Sequence, residues 1–200
     1  MGNLALLLQD QGKLGETESL LREALANSLG TLGPRHPDTL SSMSNLAALL
    51  QEQGKLSEAE PLFREALAAK RDTLGPKHPL TLLCMNNLAA LLQKQGKLGE
   101  AVSLMREVLA ARRDTLGPRD PSTLTSMNNL TVLLLEQGRL GEAEPLLREA
   151  LTGSCSALGP THPLTRASYS RLLTLLTAQG RSREARELSA QHAGSGSGGR

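Results

Sequence analysis

The chain repeats itself at a fixed interval. Glycines recur at a constant step of 42 residues along its whole length, at Gly12, Gly54, Gly96, Gly138 and Gly180. A fixed period of this size is typical of arrays of supersecondary units, in which each unit buries its apolar face on its neighbours. The sequence therefore predicts one domain over residues 1–192, built from five repeats with approximate bounds 1–34, 35–76, 77–118, 119–160 and 161–192.

The apolar residues of the second repeat predict a first helix. They fall three and four positions apart from Leu40 to Leu50, and Pro37 suits the first turn of such a helix because its missing N–H needs no partner there. Gly54 is expected to end the helix.

A second helix is predicted to begin at Ser57. Ser57 and Glu60 have the spacing of a capping box, and Pro61 would then be the fourth helical residue, whose N–H has no helical acceptor. Gly75 is expected to end this helix. Its predicted buried face comprises Ala59, Leu62, Phe63, Ala66 and Leu67. Each repeat is thus predicted to be a helical hairpin.

The composition favours helices over strands. Apolar residues make up 39% of the chain and aromatic residues only 1%, so that leucine and alanine supply most of the candidate core. We therefore predict an all-α solenoid of about five helix-turn-helix repeats.

The two ends differ from the middle of the array. The first repeat is truncated, and a helix over Gly2 to Gln11 would leave Leu4, Leu7 and Leu8 uncovered. This suggests a fragment, a truncated isoform, a self-associating end or a fraying terminus. The second helix of the last repeat is polar, as a solenoid cap requires. Residues 193–200 are rich in glycine and serine and are expected to form a flexible tail.

Charge and cysteine content narrow the class of protein. The 22 basic and 20 acidic residues are interspersed and give a net charge of +2, which does not indicate nucleic acid as a partner. Cys84 and Cys155 occupy non-equivalent repeat positions, which favours reduced thiols. No apolar run approaches the ~20 residues of a membrane span. A cytoplasmic protein with no membrane or cofactor requirement is expected.

One stretch carries a family resemblance. The pattern Asn-Leu-Ala-Ala-Leu-Leu-Gln-x-Gln-Gly-Lys-Leu-x-Glu-Ala begins at Asn45 and again at Asn87 and resembles the tetratricopeptide repeat. The step of 42 residues, with Leu-Gly-Pro-x-His-Pro joining the units, is most similar to the long repeats of kinesin light chains and nephrocystin-like proteins. The resemblance implies a right-handed superhelix whose first helices line a concave groove for peptides.

The resemblance also implies which residues face that groove. Asn45, Asn87 and Asn129 correspond to the asparagine that contacts the ligand main chain in this family, and an amide can both donate to and accept from a peptide backbone. Other expected groove residues are Asn86, Asn128, Gln51, Gln93, Glu52, Lys94 and Glu136. The implied function is a non-enzymatic scaffold or adaptor that holds a peptide segment of a partner protein.

Two alternatives remain open at this point. The asparagines could instead bond a neighbouring helix and fix the stacking of repeats, and the chain could be a self-associating structural array or a piece of a larger signalling or transport protein. The fifth repeat carries Arg171 in place of the ladder asparagine. The basic residues of carboxylate-clamp grooves are missing from Ser44, Ala48, Asn86 and Ala90, which argues against capture of a C-terminal carboxylate.

Other candidate sites have plainer interpretations. His36, His78 and His162 recur at the repeat joints with Asp120, too far apart to share a metal bound at about 2 Å, and no catalytic motif is present. Glutamate and arginine four apart, as in Glu60 and Arg64, suggest solvated helix faces. Basic residues cluster at and just after the ends of the second helices: Lys70, Arg71, Lys77, Arg112, Arg113 and Arg119. They form either a basic rim for an acidic partner or favourable charges at helix C-termini.

Overall fold

The computed structural model describes residues 14–196 and consists of helices joined by short turns. Within that range there are nine helices and no strand, which confirms the all-α prediction. They are α1 (Leu14–Leu32), α2 (Pro37–Glu52), α3 (Leu56–Leu74), α4 (Pro79–Lys94), α5 (Leu98–Leu116), α6 (Pro121–Glu136), α7 (Leu140–Leu158), α8 (Pro163–Ala178) and α9 (Ser182–Gly196).

The first helix of each described repeat begins at a proline, as predicted, and the residue before it is an N-cap. Nδ1 of His36 accepts a hydrogen bond from the N–H of Asp38 at 3.2 Å. Nδ1 of His78 and Nδ1 of His162 accept equivalent bonds from the N–H groups of Leu80 and Leu164. Asp120 takes their place with an Oδ1 acceptor at 2.7 Å. The joint histidines are therefore capping residues, because each satisfies a helix donor that has no intrahelical partner.

The predicted capping box at Ser57 is wrong. Helix α3 begins at Leu56, Lys55 precedes it without a side-chain cap, and Pro61 is consequently deeper in the helix than the sequence suggested. The reason lies in the turn before it. Gly54 has φ +77°, and the N–H of Lys55 donates to the carbonyl of Leu50 at 2.8 Å. This bond ends α2 in a short turn, so that α3 begins two residues after Gly54.

The ends of the second helices also differ in part from expectation. Gly75 ends α3 with φ +91°, as predicted. Helix α9, however, continues to Gly196, so residues 193–196 are helical where a flexible tail was expected. No proline interrupts this stretch, so each N–H can still reach the carbonyl four residues back. The predicted helix over residues 2–11, with its uncovered leucines, lies outside the described residues.

The chain divides into two compact units, of which unit 1 ends at Leu104 and unit 2 begins at Met105. In unit 1, α2 packs against α1 and α3, α3 packs against α4, and α2 also touches α4. In unit 2, α7 packs against both α6 and α8, and α9 packs against α8.

The core of unit 1 follows the predicted pattern closely. Leu40, Met43, Leu46, Ala47 and Leu50 are all buried, and so are Ala59, Phe63, Ala66 and Leu67 on the facing helix. Leu62 is only half-buried, contrary to prediction. In unit 2 the apolar cluster of α7, α8 and α9 comprises Leu147, Leu172, Leu175, Leu176 and Ala185.

Charged residues on the second helices link one repeat to the next. Glu60 pairs with Arg64 on its own helix at 2.8 Å and with Lys97, which precedes the following second helix, also at 2.8 Å. Arg64 in turn reaches Glu100 at 2.6 Å. The hydrogen bond from Lys97 holds the pKa of Glu60 at about 2. These side chains therefore join adjacent repeats rather than merely covering a solvated face.

The same network occurs twice more. In unit 1, Glu18 pairs with Lys55 at 2.8 Å and Arg22 pairs with Glu58 at 2.9 Å. The equivalent residues in unit 2 are Glu144, Arg148, Arg181 and Glu184, with Arg181 to Glu144 at 2.6 Å. The hydrogen bond from Lys55 lowers the pKa of Glu18, and that from Arg181 lowers the pKa of Glu144.

Glutamine side chains form a second link between repeats. Nε2 of Gln53 donates to the carbonyl of Leu14 at 3.1 Å, and Nε2 of Gln95 donates to the carbonyl of Leu56 at 3.3 Å. Each glutamine follows a first helix and reaches the start of the previous second helix. This repeated link was not predicted from the sequence, where Gln53 and Gln95 were only part of the repeat motif.

Equivalent threonines of the first helices differ in their hydrogen bonding and give a matched test of stability. Thr39 and Thr81 are fully buried, but Oγ1 of Thr81 donates to the carbonyl of Lys70 at 3.3 Å whereas Oγ1 of Thr39 has no partner among the described residues. We expect Thr81→Val to lower the free energy of unfolding by about 1 kcal/mol and Thr39→Val to leave it unchanged or raise it. Urea unfolding of the two variants measures both effects. Equal losses at the two positions would contradict this assignment.

Candidate peptide-binding face

Helix α2 presents a polar stripe on its exposed side. Asp38, Ser41, Asn45 and Glu52 are exposed and Ala48 is half-buried, at spacings of three and four that place them along one face. The core residues of the same helix lie on the other side. Asn45 occupies the middle of this stripe.

Helix α4 presents the equivalent stripe with a different character. Leu80 and Leu83 are 43% and 52% exposed, and Asn87, Ala90 and Lys94 continue the same face. Asn87 is half-buried, while Ala90 and Lys94 are exposed. The stripe of α4 therefore combines two exposed leucines with an amide and an ammonium group.

The ladder asparagines keep their side-chain amides unpaired. Across the described part of the chain, no side-chain hydrogen bond involves Asn45, Asn87 or Asn129, and Asn45 and Asn129 are exposed. Their donors and acceptors are thus available to a ligand, and bonding to a neighbouring helix does not account for them. Of the other expected groove residues, Gln51 and Gln93 are half-buried.

Asn86 and Asn128 behave differently from their neighbours in the sequence. Nδ2 of Asn86 donates to the carbonyl of Leu82 at 3.0 Å, and Asn128 is only 3% exposed. Oδ1 of Asn128 accepts from Ser168 at 3.0 Å and from Arg171 at 3.2 Å. Asn128 was expected to face a ligand, but its burial and its bonds to α8 make it a residue that fixes the packing of two repeats.

In unit 2, α6 carries a shorter exposed stripe. Asn129 and Glu136 are exposed and Val132 is half-buried between them. Arg171, the residue of α8 equivalent to Asn129, is half-buried and bonded to Asn128. The fifth repeat therefore uses the ladder position for contacts inside the unit.

The basic rim considered from the sequence does not form as a continuous surface. Lys70 is only 6% exposed, and its Nζ donates to Oγ of Ser44 at 2.8 Å. Burial lowers the pKa of this lysine. Arg112 donates to Oγ of Ser126 at 2.8 Å, and Arg113 pairs with Glu149 at 2.6 Å. Lys70, Arg112 and Arg113 of the second helices thus bond within the protein, whereas Arg119, in the turn between α5 and α6, is exposed.

Two other features are absent from the described residues. Within residues 14–196 there is no group of three or more histidine, cysteine or acidic side chains placed to hold a metal ion. No helix in the same part of the chain has the length and apolar character needed to span a bilayer.

The sequence matches the family model of the tetratricopeptide repeat over residues 1–72, 58–114 and 82–156. A search of curated protein sequences returned no significant match.

Several solved structures resemble this one. A kinesin light chain with nearly identical tetratricopeptide-like repeats from Podosopora anserina is 32% identical, with a TM-score of 0.85 over 96% of this chain and 91% of that chain. BtubC (BKLC) from P. vanneervenii is 23% identical, with a TM-score of 0.82 over 95% of this chain and 76% of that one. MamA from Desulfovibrio magneticus RS-1 shares the fold at 14% identity, with a TM-score of 0.66 over 96% of this chain and 90% of that one.

Proposed function

We propose that this chain, which belongs to the tetratricopeptide repeat family and is of the kinesin light chain-like type, is a non-enzymatic module that binds an extended peptide segment of a partner protein. The observation that carries the proposal is the set of unpaired amides on the exposed stripes of the first helices. Asn45 and Asn87 supply them in unit 1, and Asn129 supplies one in unit 2.

Asparagine suits recognition of a main chain. Its amide offers two donors and an acceptor, so it can pair with a peptide N–H or carbonyl regardless of the ligand side chain. An amide held unpaired at a half-buried position, as in Asn87, loses part of its hydration without gaining an internal bond. A ligand backbone that completes this hydrogen bonding would therefore gain affinity.

The residues around the asparagines suggest which side chains of the ligand are recognised. In unit 1 the stripe of α4 offers Leu80 and Leu83 at one end and Lys94 at the other. In unit 2 the stripe of α6 ends in Glu136. Lys94 favours an acidic ligand side chain at the stripe of α4, and Glu136 favours a basic one at the stripe of α6.

A reducing compartment such as the cytoplasm suits this function. Cys84 and Cys155 are both free, and Cys84 is buried. Burial raises the pKa of the Cys84 thiol, which keeps it protonated and unreactive.

The proposal is tested by removing the two amides of unit 1. Peptides that bind the wild-type chain are first selected from a random extended-peptide library, and their Kd is then measured by fluorescence anisotropy. Asn45→Ala with Asn87→Ala is expected to weaken binding at least about tenfold, since each hydrogen bond contributes about 1 kcal/mol. The melting temperature should hardly change, because neither amide bonds within the described protein.

The matched control is Asn27→Ala, which removes an exposed asparagine of α1 outside the stripe. It should leave both binding and melting unchanged. If the double variant instead melts much earlier and loses binding only in proportion, the asparagines are structural and the proposal fails.

A further inference from the structure

We propose that a cleft of unit 2, between the start of the fourth repeat and the end of α7, binds the carboxylate side chain of an acidic partner protein. The cleft has a volume of about 400 Å³ and is lined by Arg119, Arg148, Glu149, Thr152 and Ser156, among others. It lies on the second helix of its repeat, whereas the asparagine stripes lie on the first helices. The inference therefore stands independently of the proposed peptide-binding face.

The second repeat shows what this position ordinarily contains. There Arg35, the residue after the repeat joint, pairs with Asp72 of the following second helix at 3.8 Å. Arg119 and Ser156 occupy the same two positions 84 residues further along the chain. The arginine is retained in the fourth repeat, but the aspartate has become serine, so the internal carboxylate is absent.

The charges around the cleft leave one cation uncompensated. Arg148 pairs with Glu144 at 2.9 Å and with Glu184 at 3.0 Å. Glu149 is neutralised by Arg113 at 2.6 Å. Arg119 is exposed and makes no ion pair or hydrogen bond with any residue that the structure describes.

Two hydroxyl groups line the same cleft as this arginine. Thr152 stands where the second and third repeats have alanine, and its Oγ1 donates to the carbonyl of Arg148 at 2.9 Å. Oγ of Ser156 donates to the carbonyl of Gly153 at 3.0 Å. Each hydroxyl has one proton and donates it only to a carbonyl of its own helix, so it can exchange that hydrogen bond for one to an incoming anion by rotation of the side chain.

These features together favour a carboxylate as the occupant. A guanidinium fork matches a carboxylate in two parallel hydrogen bonds, and hydroxyl donors can satisfy its remaining lone pairs. The equivalent pair of Arg35 with Asp72 shows that this position accepts a carboxylate. An aspartate or glutamate of a partner would thus restore the pairing that the fourth repeat has lost.

The experiment uses the full chain and two matched peptides. One is acetylated, amidated and carries three glutamates, and the other carries glutamine at the same positions. Amide chemical shifts are followed by NMR during titration of the wild type, Arg119→Gln and Ser156→Asp. The last variant supplies an internal carboxylate like that of Asp72 and keeps Arg119 in place.

The glutamate peptide is expected to change the backbone amide chemical shifts of Arg119 and Ser156. The glutamine peptide is expected to leave them unchanged. Arg119→Gln and Ser156→Asp should each weaken binding about fivefold, the effect of one exposed ion pair. Circular dichroism confirms that both variants are folded. Undiminished binding by Ser156→Asp, or equal shifts with the glutamine peptide, would overturn the proposal. So would the same shifts with inorganic phosphate and none with the glutamate peptide, because the cleft would then be a phosphate site.

Discussion

Replacement of Phe63 by alanine is expected to lower the free energy of unfolding of unit 1 by about 3 to 5 kcal/mol. Phe63 is the only phenylalanine of the chain and is fully buried in α3. Truncation removes its apolar surface from the core and leaves a cavity that the neighbouring side chains fill only in part. A loss of this size should lower the melting temperature of the unit by at least about 12 °C.

The measurement uses two signals, since the chain has a single tyrosine and no tryptophan. Far-UV circular dichroism follows all helices, whereas the fluorescence of Tyr169, whose Oη hydrogen bonds to Oγ of Ser189 at 3.1 Å, follows unit 2. The matched control is Leu83→Ala, because that leucine is 52% exposed and should cost under about 0.5 kcal/mol. Similar losses from the two variants would contradict the assignment of Phe63 to the core.

The second large effect is expected from acid. The Glu60 carboxyl has a pKa of about 2 in the folded protein, lowered from 4.5 mainly by its hydrogen bond with Lys97. A carboxyl with a depressed folded pKa stabilises the protein fully above the unfolded value, and that contribution is lost as pH falls. Stability should therefore decline between about pH 4.5 and pH 2.

The size of this decline follows from exposure. A pKa difference of this magnitude corresponds to about 3 kcal/mol in the free energy of unfolding. Because Lys97 is 44% exposed and solvent screens the pair, we expect the free energy of unfolding to fall by about 1 kcal/mol. Urea unfolding at several pH values should show a shallower acid slope for Glu60→Gln. Glu65→Gln, which removes an exposed carboxyl of the same helix, is the control and should leave the slope as in the wild type. An unchanged slope in Glu60→Gln would exclude Glu60 as a source of the acid sensitivity.

The sequence predicts the hairpins well because period and helix signals agree. Proline at the first helical position, glycine at the turns and leucines three and four apart all depend on local geometry, and each recurs in every described repeat. The start of α3 was misjudged at Ser57 because the tight turn at Gly54 competes with the capping box. That competition depends on the bond from Lys55 to Leu50, which only the folded turn reveals.

The repeat pattern did not predict which side chains of the candidate site are exposed. Asn128 and Asn129 are adjacent and equally polar, yet one is buried against α8 and the other is exposed. Which of them faces outward depends on the helix rotation set by packing, and the sequence alone did not separate them. The ion pair of Glu60 with Lys97 was missed because its partners are 37 residues apart, beyond any spacing within one helix.

The links formed by Gln53 and Gln95 make the two junctions between hairpins in unit 1 self-sufficient. Each glutamine finds its acceptor 39 residues earlier, and Glu60 finds Lys97 in the next repeat. A tandem duplication of one 42-residue segment would consequently bring along both halves of the joint it creates. An array extended in this way gains a hairpin whose contacts are already in place, whereas inserting or deleting one residue inside the repeat would shift every link that spans it.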